Sequence, residues 1–416
     1  MTDGLVSVAA GALPYHVDRL VAHMDEQDAD MVIASTAQNL RYFTGFAPVV
    51  KTLNPHLGEC YAIISRDNTA SVSVVHSAGE ADQILDMTAP LATAWIYGTF
   101  HRNIPSRTTS LLDEIRLQSF GKPVADTARQ ALIMAVQATV AQKTNARVLI
   151  DDDGMRPETL LALQIAYPNM TFVDASMTLR RIRHVKTMGE IALLTQAARQ
   201  NEAAVATCLA HACAGQSETE IVAQFEQSVL AQGGRPGVTM MKIGRHAVTG
   251  QRRPNAAHRL ATGDLLWFDS DTVHQNYWSD IARTAVFGSP TPRQIDRYDA
   301  LRAGMAEGLT ALRPGQTGAD VFAAVMHVVR NAGIPEYARH HVGHGIGLEP
   351  FEGPVLAPND TTVLEAGMVI SLETPFYEYG FGALHIEDPV CITQNGAEFL
   401  TLNPNPHLAS FKEIDA

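Results

Sequence analysis

Apolar side chains in the N-terminal part of the chain recur with two periods. From Pro14 to Met24 they follow a helical spacing, with Val17, Leu20 and Val21 on the same face as Met24. Short apolar runs typical of buried strands occupy residues 31–36, 60–65, 71–76, 92–97, 148–152 and 171–175. Residues 40–46 are predicted as a loop and a short strand. Strands interleaved with helices predict an α/β domain of about 175 residues.

A basic segment, residues 180–186, separates this part from a long amphipathic helix that is predicted to end near residue 210. We place the domain boundary between Leu179 and Lys186, which gives an N-terminal domain of residues 1–180 and a C-terminal domain of residues 181–416. A chain of 416 residues is also too long for one small hydrophobic core, so two domains are expected.

The C-terminal part contains an internal repeat with a constant offset of 100 residues. In each copy a capping residue, Ser217 or Thr317, is followed by an acid three positions on, an apolar helix face and a stopping glycine. The matching pairs are Gly215 with Gly315, Gln216 with Gln316, Glu220 with Asp320, Ile221 with Val321, Val222 with Phe322, Phe225 with Val325, Val229 with Val329 and Gly233 with Gly333. Duplication predicts two α/β halves about a pseudo-twofold axis, with their strands joined in one sheet and a central cleft between them.

Residues of metal-ligand type stand at intervals inside the apolar segments of this part. They are Asp269, Asp280, His344, Glu373 and Glu387, with gaps of 11, 64, 29 and 14 residues. An unpaired charge in an apolar strand is costly, so these side chains are expected to have partners. Four carboxylates and one imidazole suit two divalent ions (Mn²⁺, Fe²⁺, Co²⁺ or Zn²⁺), and two of the carboxylates can bridge both ions.

The two aspartates come from the first half of the repeat, on residues 264–288, which are predicted as two strands joined by a loop around Thr272–Asn276. The other three candidates come from the second half. Antiparallel strands can place side chains from such distant positions next to one another.

Composition narrows the choice of partners. The chain is 46% apolar and 18% charged, which is ordinary for a folded globular protein, and its formal net charge of −13 argues against nucleic acid and anionic membranes. The four cysteines form no CxxC pair and no disulfide framework, so a reducing cytoplasm is expected. The N-terminal residues predict no signal peptide, and no transmembrane helix is expected.

Several segments together resemble the pita-bread metallopeptidase superfamily, which includes methionine aminopeptidase, aminopeptidase P, prolidase and creatinase. The matching segments are residues 263–269, 277–284, 343–349, 364–375 and 386–393. Residues 28–46 and 180–191 resemble the N-terminal domain and linker of the prolidase, aminopeptidase P and creatinase branch. The resemblance implies a creatinase-like α/β N-terminal domain, a pita-bread catalytic domain and a homodimer.

The resemblance also implies a role for each candidate ligand. Asp269 binds one metal ion and His344 the other, while Asp280 and Glu387 bridge the two ions. Glu373 binds beside His344 and handles the proton of the attacking water. Two neighbouring histidines, His340 and His341, could both support the ligands, and one of them is expected to face solvent. We favour His340, four residues before His344, as the one near the site and as a catalytic residue.

The chain departs from the peptidase pattern at two positions where the family carries substrate-contacting histidines. Seven residues after His344 the chain has Phe351, either a cleft wall or plain packing. The other position, about 17 residues before the first aspartate, falls on Arg252 or Gln251; the nearby histidines 246 and 258 fit only with a shifted loop. Polar support for a peptide carbonyl is therefore reduced.

Two further residues leave alternatives open. Asp271 lies on the same strand face as Asp269 if the strand is regular, so it is either a sixth ligand or a residue that binds backbone NH groups. His385 stands where the family often has arginine, and it is either catalytic, tuning Glu387, or a hydrogen-bonded core histidine.

The function predicted from these features is that of a dinuclear metallohydrolase cleaving a C–N bond in a small amide, an Xaa-Pro-like dipeptide or an amidino compound. An alternative is a metal-dependent lyase that releases dimethyl sulfide from dimethylsulfoniopropionate, since lyases of this superfamily share a D-x-D feature like Asp269–Asp271 and lack the peptidase histidines. A second alternative is a non-enzymatic binding protein. The expected partner is a small molecule or dipeptide.

Overall fold

The computed structural model describes residues 13–103, 111–140, 143–248, 251–402, 404 and 407–411. The chain divides between Arg183 and His184 into two compact units, and helices and sheet strands occur in both. Among the described residues, no helix combines the length and the apolar character needed to cross a membrane.

The N-terminal unit alternates helices with short strands. In chain order it contains α1 (Val17–Glu26), β1 (Met31–Ala34), α2 (Ala37–Thr44), α3 (Val49–Leu53), β2 (Tyr61–Ser65), β3 (Asn68–Ser77), a 3-10 segment (Ala78–Asp86), β4 (Leu91–Tyr97), α4 (Leu112–Phe120), β5 (Pro123–Ala125), α5 (Ala128–Thr139), β6 (Arg147–Ile150), a 3-10 turn (Asp152–Gly154), α6 (Pro157–Ala166), β7 (Thr171–Asp174) and α7 (Ser176–His184). The strands form one mixed sheet in the order β5-β4-β3-β2-β1-β6-β7. Each apolar run singled out in the sequence forms one of these strands.

Residues 40–46 are not the predicted loop and strand, because they lie largely in α2. The Thr36 side chain accepts a hydrogen bond from the backbone N–H of Asn39 at the helix start, and Gly45 ends the helix with a φ of 94°. Buried Asp151 also fixes this start, since one of its oxygens accepts bonds from the backbone N–H groups of Ser35 and Thr36 and from the Asn39 amide. These partners are distant in sequence, so local patterns did not reveal the helix.

The C-terminal unit is built around one large sheet. Its elements are α8 (Met188–His211), α9 (Glu218–Ala231), β8 (Arg235–Ile243), a 3-10 turn (Gly244–Val248), β9 (Leu265–His274), β10 (Tyr277–Phe287), α10 (Pro292–Ala311), α11 (Gly318–Asn331), β11 (Gly343–Gly345), β12 (Glu352–Val355), β13 (Val369–Glu373), β14 (Phe376–Glu378), β15 (Gly382–Leu384), β16 (Glu387–Thr393), β17 (Gly396–Phe399) and β18 (Ala409–Phe411). The sheet order is β12-β11-β13-β16-β10-β9-β8, with β17 paired to β16 and β18 to β10.

The duplicated segments form equivalent helices. α9 and α11 are both 14 residues long, and the first residues of the two helices, Glu218 and Gly318, are 100 positions apart. Each helix begins with a capping box, formed by Ser217 with Glu220 and by Thr317 with Asp320. The buried face of α9 packs in the core beneath β8 and β9, and that of α11 packs beneath β13 and β16. Each copy thus covers a different half of the sheet.

The hairpin of β9 and β10 is longer than predicted from the sequence. β9 continues to His274, and only Gln275 and Asn276 form the turn, with φ values of 47° and 74°. Positive φ at both positions is what a tight two-residue hairpin turn requires. The predicted loop around Thr272–Asn276 is therefore mostly strand, and the regular pairing runs past Asp271 to His274, which lies opposite Tyr277.

Candidate metal centre

Adjacent strands of the large sheet carry all five candidate ligands. His344 lies on β11, Glu373 on β13, Glu387 on β16, Asp280 on β10 and Asp269 on β9, and these strands are consecutive in the sheet. Side chains that share a face of neighbouring strands stand close together. The sheet thus brings residues from both halves of the repeat into one pocket.

Two groups of side chains in this pocket have ligand atoms close enough to hold an ion. One group contains Asp269, His385 and Glu387, and the other contains Asp280, His344 and Glu387, with the ligand atoms of each group within 4.8 Å of one another. His344 Nε2 lies 3.7 Å from an Asp280 oxygen and 3.9 Å from a Glu387 oxygen. Glu387 belongs to both groups, so its carboxylate lies between two potential ion positions.

Local contacts orient His344 and Glu387. His344 Nδ1 lies 3.0 Å from the Gly345 carbonyl, which can only accept, so Nδ1 carries the proton and Nε2 presents its lone pair to the pocket. Gly345 permits close strand approach here, since a Cβ at this position would lie 2.2 Å from the Gly353 carbonyl oxygen. The Ser371 hydroxyl donates to Glu387 Oε1 at 2.9 Å.

Carboxyl groups in the pocket raise one another's pKa values. Burial, together with nearby acids, raises the pKa of Asp269 to about 6 and that of Asp271 to about 8. Burial and acidic neighbours also hold the pKa values of Asp280 and Glu387 well above their usual range. One oxygen each of Asp271 and Asp280 is buried without a hydrogen-bond partner in the described structure. Buried carboxyl groups this close together need positive charge beside them, and bound divalent cations would supply it.

Glu373 has a different environment, because it lies between two imidazoles. His341 Nδ1 is 2.7 Å from Glu373 Oε1, and His385 Nε2 is 3.1 Å from Oε2. Burial opposes ionisation, but the close contacts with the His341 and His385 imidazoles outweigh it and lower the pKa of Glu373. Among the described residues, neither three-residue ligand group includes Glu373. The structure therefore favours an ionised carboxylate here.

The positions of His340 and His341 correct the sequence-based expectation. His340 is exposed, whereas His341 is partly buried and contacts Glu373. The expectation relied on a four-residue spacing from His344, which places side chains on one face only in a regular helix or strand, and His340 lies in neither, since β11 begins at Gly343. α11 ends at Asn331, and the segment before β11 is not helical. His341 therefore lies at the candidate site where His340 was favoured, and the doubled histidine was its only local signal.

Of the other residues predicted for the site, Phe351 lies beside His344, whereas Arg252 does not contact the ligand groups described above. Phe351 stacks on the ring of His344, with centroids 4.1 Å apart, and remains 52% exposed, so it forms an apolar wall beside the pocket. Arg252 is exposed. His258 Nδ1 lies 3.1 Å from buried Glu218, and His246 stacks on His258 at 3.5 Å, so these two histidines are engaged with each other and with Glu218.

Asp271 lies opposite Asp280 in the hairpin register, and Asp269 lies opposite Ala282. The backbone N–H of Val238 donates to Asp271 Oδ2 at 3.3 Å, while Oδ1 is buried without a partner. Oδ2 therefore accepts a backbone hydrogen bond, and Oδ1 has a lone pair that an ion could use. The structure agrees with both predictions for Asp271, one for each oxygen.

Comparison with known proteins agrees with this geometry. Residues 192–394 match metallopeptidase family M24, and residues 16–185 match the creatinase/prolidase N-terminal domain. The chain belongs to the pita-bread metallopeptidase superfamily. Membership confirms the predicted fold class, with a creatinase N-terminal domain and a pita-bread domain, and it confirms the predicted enzyme class, a metallohydrolase.

Similar members of the superfamily cover different shares of the chain. An uncharacterized peptidase of Staphylococcus saprophyticus is 26% identical over 92% of this chain and 98% of its own length. A Xaa-Pro dipeptidase of Pyrococcus furiosus is 31% identical over 54% of this chain and 64% of its own length. The solved structure of a Xaa-Pro dipeptidase from Bacillus anthracis has a TM-score of 0.76 at 22% identity and covers 95% of this chain and 99% of that one.

Proposed function

We propose that this superfamily member is a dinuclear metal-dependent hydrolase that cleaves the C–N bond of a small, dipeptide-like substrate, with Xaa-Pro dipeptides as the first candidates. The observation that carries the proposal is the presence of Glu387 in both ligand groups. One carboxylate between two ion positions is the arrangement that two-metal hydrolases use. The named activity of the Pyrococcus furiosus relative, a Xaa-Pro dipeptidase, supports this substrate class.

In this proposal Asp269 would hold one ion and His344 the other, and Asp280 and Glu387 would be shared between the two. Asp271 would add a ligand through Oδ1, the oxygen that has no hydrogen-bond partner in the described structure. Burial lowers the pKa of His344, which keeps its imidazole neutral and able to coordinate. Mn²⁺, Fe²⁺, Co²⁺ and Zn²⁺ all accept this mixture of oxygen and nitrogen ligands. When bound, such ions would lower the pKa of a water molecule and make it nucleophilic near neutral pH.

Glu373 is the residue best suited to move a proton. His341 and His385 hold it in the carboxylate form, so it can accept the proton that the attacking water loses. The same carboxyl group can then deliver that proton to the leaving nitrogen. His385 also lies 3.4 Å from Glu387, so one imidazole positions both the proton carrier and the shared ligand.

The side of the pocket next to His344 suits a small apolar group. Phe351 presents its exposed ring there, in contact with both His344 and His341. A proline ring or a short aliphatic side chain could pack on this surface. Because phenylalanine offers no hydrogen bond, it does not support a carbonyl oxygen at this position.

The test is hydrolysis by full-length protein loaded separately with each of the four ions. Release of free proline from Xaa-Pro dipeptides is measured, with creatine as a small amidino compound in the same panel. We expect Glu373→Gln to lower kcat by about 100-fold or more, because it removes the proton acceptor while keeping the shape. Glu398→Gln, on the exposed surface of β17, is the matched control and should leave turnover unchanged.

Three outcomes would contradict the proposal. Absence of turnover in every metal form argues against hydrolysis of these substrates. Release of dimethyl sulfide from dimethylsulfoniopropionate would instead support the lyase. Failure to retain any ion would support a non-enzymatic binding protein.

The homodimer and the cytoplasmic location also remain proposals, and light scattering at micromolar concentration tests the first of them.

A further inference from the structure

A buried ion pair lies at the end of the β11–β12 loop, residues 346–351, which carries Phe351. Lys186 Nζ is 3.0 Å from Glu352 Oε2, and the two side chains are 1% and 4% exposed. Lys186 lies on the short connection between α7 and α8, and Glu352 is the first residue of β12. Taking two charges out of water is costly, and an apolar pair of similar volume often stabilises a protein equally well. Stability alone therefore does not explain why this pair lies here.

The Glu352 carboxylate holds the β11–β12 loop by its contacts with loop residues. Oε1 accepts a hydrogen bond from the backbone N–H of Glu349 at 3.1 Å, so the side chain ties the loop to the strand that follows it. The carboxylate also packs against Gly347, since a Cβ built there would lie 2.9 and 3.0 Å from its two oxygens. Phe351, at the end of the loop, stacks on the His344 ring with centroids 4.1 Å apart. The position of this carboxylate therefore affects the ring that lies against His344.

Lys186 belongs to a segment that backbone contacts fix in place. Its own N–H donates to the Gly367 carbonyl at 2.8 Å, and the preceding residue, Val185, pairs with Met368 in an antiparallel bridge. The following residue, Thr187, is the N-cap of the 24-residue helix α8. A charge-assisted bond from a fixed ammonium group gives the partner carboxylate a defined position.

A second buried pair of the same chemistry lies elsewhere in the C-terminal unit. Lys242 Nζ is 3.3 Å from Glu218 Oε2, and these side chains are 2% and 0% exposed. Glu218 also accepts hydrogen bonds from the backbone N–H groups of Ile243 and Asn255, which lie outside the β11–β12 loop. The two pairs therefore match in residue type and burial but hold different segments, so Lys242 provides a control for Lys186.

We propose that Lys186 and Glu352 are positioning residues: their ion pair fixes the β11–β12 loop, which keeps the Phe351 ring against His344 and orients that imidazole for an ion. The inference rests on the proposed function, because it assumes that His344 holds a metal ion. Both residues act through the loop, and neither is assigned a part in the chemistry. The pair thus sets the affinity of one ion position from outside the ligand set.

The first experiment measures hydrogen exchange of the metal-free, full-length protein by mass spectrometry. In Lys186→Met the amide groups of residues 346–352 should exchange roughly 10-fold faster than in wild type, because the carboxylate that holds the loop loses its lysine. In Lys242→Met, which removes the lysine of the other pair, the same amide groups should exchange as in wild type. Unchanged exchange in Lys186→Met, or equal increases in the two variants, would overturn the inference.

The second experiment separates positioning from stability. The double variant Lys186→Met/Glu352→Met removes both charges at similar volume, so it should unfold at nearly the same denaturant concentration as wild type. It should nevertheless bind Co²⁺ roughly 10-fold more weakly, since residues that orient a metal ligand typically contribute 10- to 100-fold to metal affinity. Titration of the metal-free proteins, followed by visible absorption, measures this affinity. A double variant with wild-type affinity for Co²⁺ would overturn the inference, whatever its stability.

Kinetics on a Xaa-Pro dipeptide show whether the pair acts through Phe351. Phe351→Ala and the double variant should each raise KM by roughly 10-fold, and their combination should raise it no further, because both changes remove the same contact. Additive increases in the free energy that KM reports would overturn the inference. If wild type hydrolyses no dipeptide, the proposed function fails, and hydrogen exchange and Co²⁺ affinity still decide the inference. A wild type that binds no Co²⁺ would overturn it as well.

Discussion

Glu373 and Glu387 are direct register partners on the adjacent antiparallel strands β13 and β16. Two acids in this relation repel each other, and this repulsion normally weakens a sheet. The imidazole of His385 lies beside both, at 3.1 Å from one carboxylate and 3.4 Å from the other. The pair is therefore best explained by its place in the candidate site, because a sheet selected for stability alone would not place two buried acids opposite each other.

Replacing Glu387 by Gln should separate stability from function. The neutral amide removes the repulsion and can still accept the hydrogen bond from Ser371, so the metal-free variant should be more stable than metal-free wild type by about 1 kcal/mol. The same variant should lose the stabilisation that added Mn²⁺ gives the wild type, because the shared ligand is gone. Denaturant unfolding with and without chelator measures both effects. A metal-free variant less stable than wild type would contradict this account.

The neighbouring histidines 340 and 341 provide a matched pair of variants. His341→Ala removes one of the two imidazoles that lower the pKa of Glu373, so that pKa should rise and the acid limb of the kcat/KM profile should move to higher pH. Activity at neutral pH should fall by roughly 10- to 100-fold. His340→Ala, an exposed position, should change neither quantity by more than a few-fold. Equal effects of the two substitutions would refute the assignment.

A buried ion pair supports the strand that carries Glu387. Arg283 binds both oxygens of Asp388 and also donates to the backbone carbonyl of Glu387 at 2.8 Å, while Thr401 donates to Asp388 at 2.7 Å. Arg283→Met leaves Asp388 buried without its cation, which should cost about 3–5 kcal/mol in the free energy of unfolding.

The control for this prediction is an exposed pair of the same chemistry. Arg293 binds Glu378 at 2.6 and 2.8 Å, but its side chain is 56% exposed, so Arg293→Met should cost about 0.5 kcal/mol or less. Chemical denaturation of both variants gives the comparison. Losses of similar size would show that burial does not decide the strength of the Arg283 pair.

Stability should also depend on pH through Glu190, a buried acid at the start of α8. Burial raises the pKa of Glu190 to about 7, above its ordinary value of 4.5. A carboxyl group whose pKa is raised by folding stabilises the protein fully below its unfolded pKa, and this contribution is lost as the pH rises through the folded pKa. Wild type should therefore lose on the order of 2 kcal/mol relative to Glu190→Gln between pH 5 and pH 8.

The matched control for Glu190 is the equivalent acid of the α9 capping box. Glu220 bonds the Ser217 backbone as Glu190 bonds that of Thr187, but Glu220 is exposed and those bonds lower its pKa. Glu220→Gln should therefore show no relative gain as the pH rises. Unfolding curves of the three proteins at several pH values measure the effect. A Glu190→Gln variant whose stability falls in parallel with wild type would contradict the burial argument.

Patterns in the sequence predicted much of this arrangement, because the ligands lie in apolar strands and the repeat has a strict offset. Charged residues such as Asp280 and Glu387 are conspicuous in these strands, and the two capping boxes are short local signals. The strand pairing that brings them together depends on residues tens of positions apart. It was predicted from the resemblance to the superfamily and not from local patterns.

The failures have a common physical origin. His341 acquires its role from its contact with Glu373, and the adjacent histidine is the only local feature that marks it. The helical state of residues 40–44 likewise depends on buried Asp151, which is over 100 positions away. The loop between β9 and β10 is shorter than predicted, because two residues with positive φ are enough to form the turn.

The most direct test of the central claim is the metal content of the purified protein. The protein is saturated with Mn²⁺, excess ion is removed, and the bound metal is measured by elemental mass spectrometry. We expect two ions per chain for wild type and one or none for Glu387→Gln, since Glu387 is the carboxylate common to both ligand groups. Wild-type protein that retains no ion, or a variant that retains as many ions as wild type, would contradict a dinuclear centre built around Glu387.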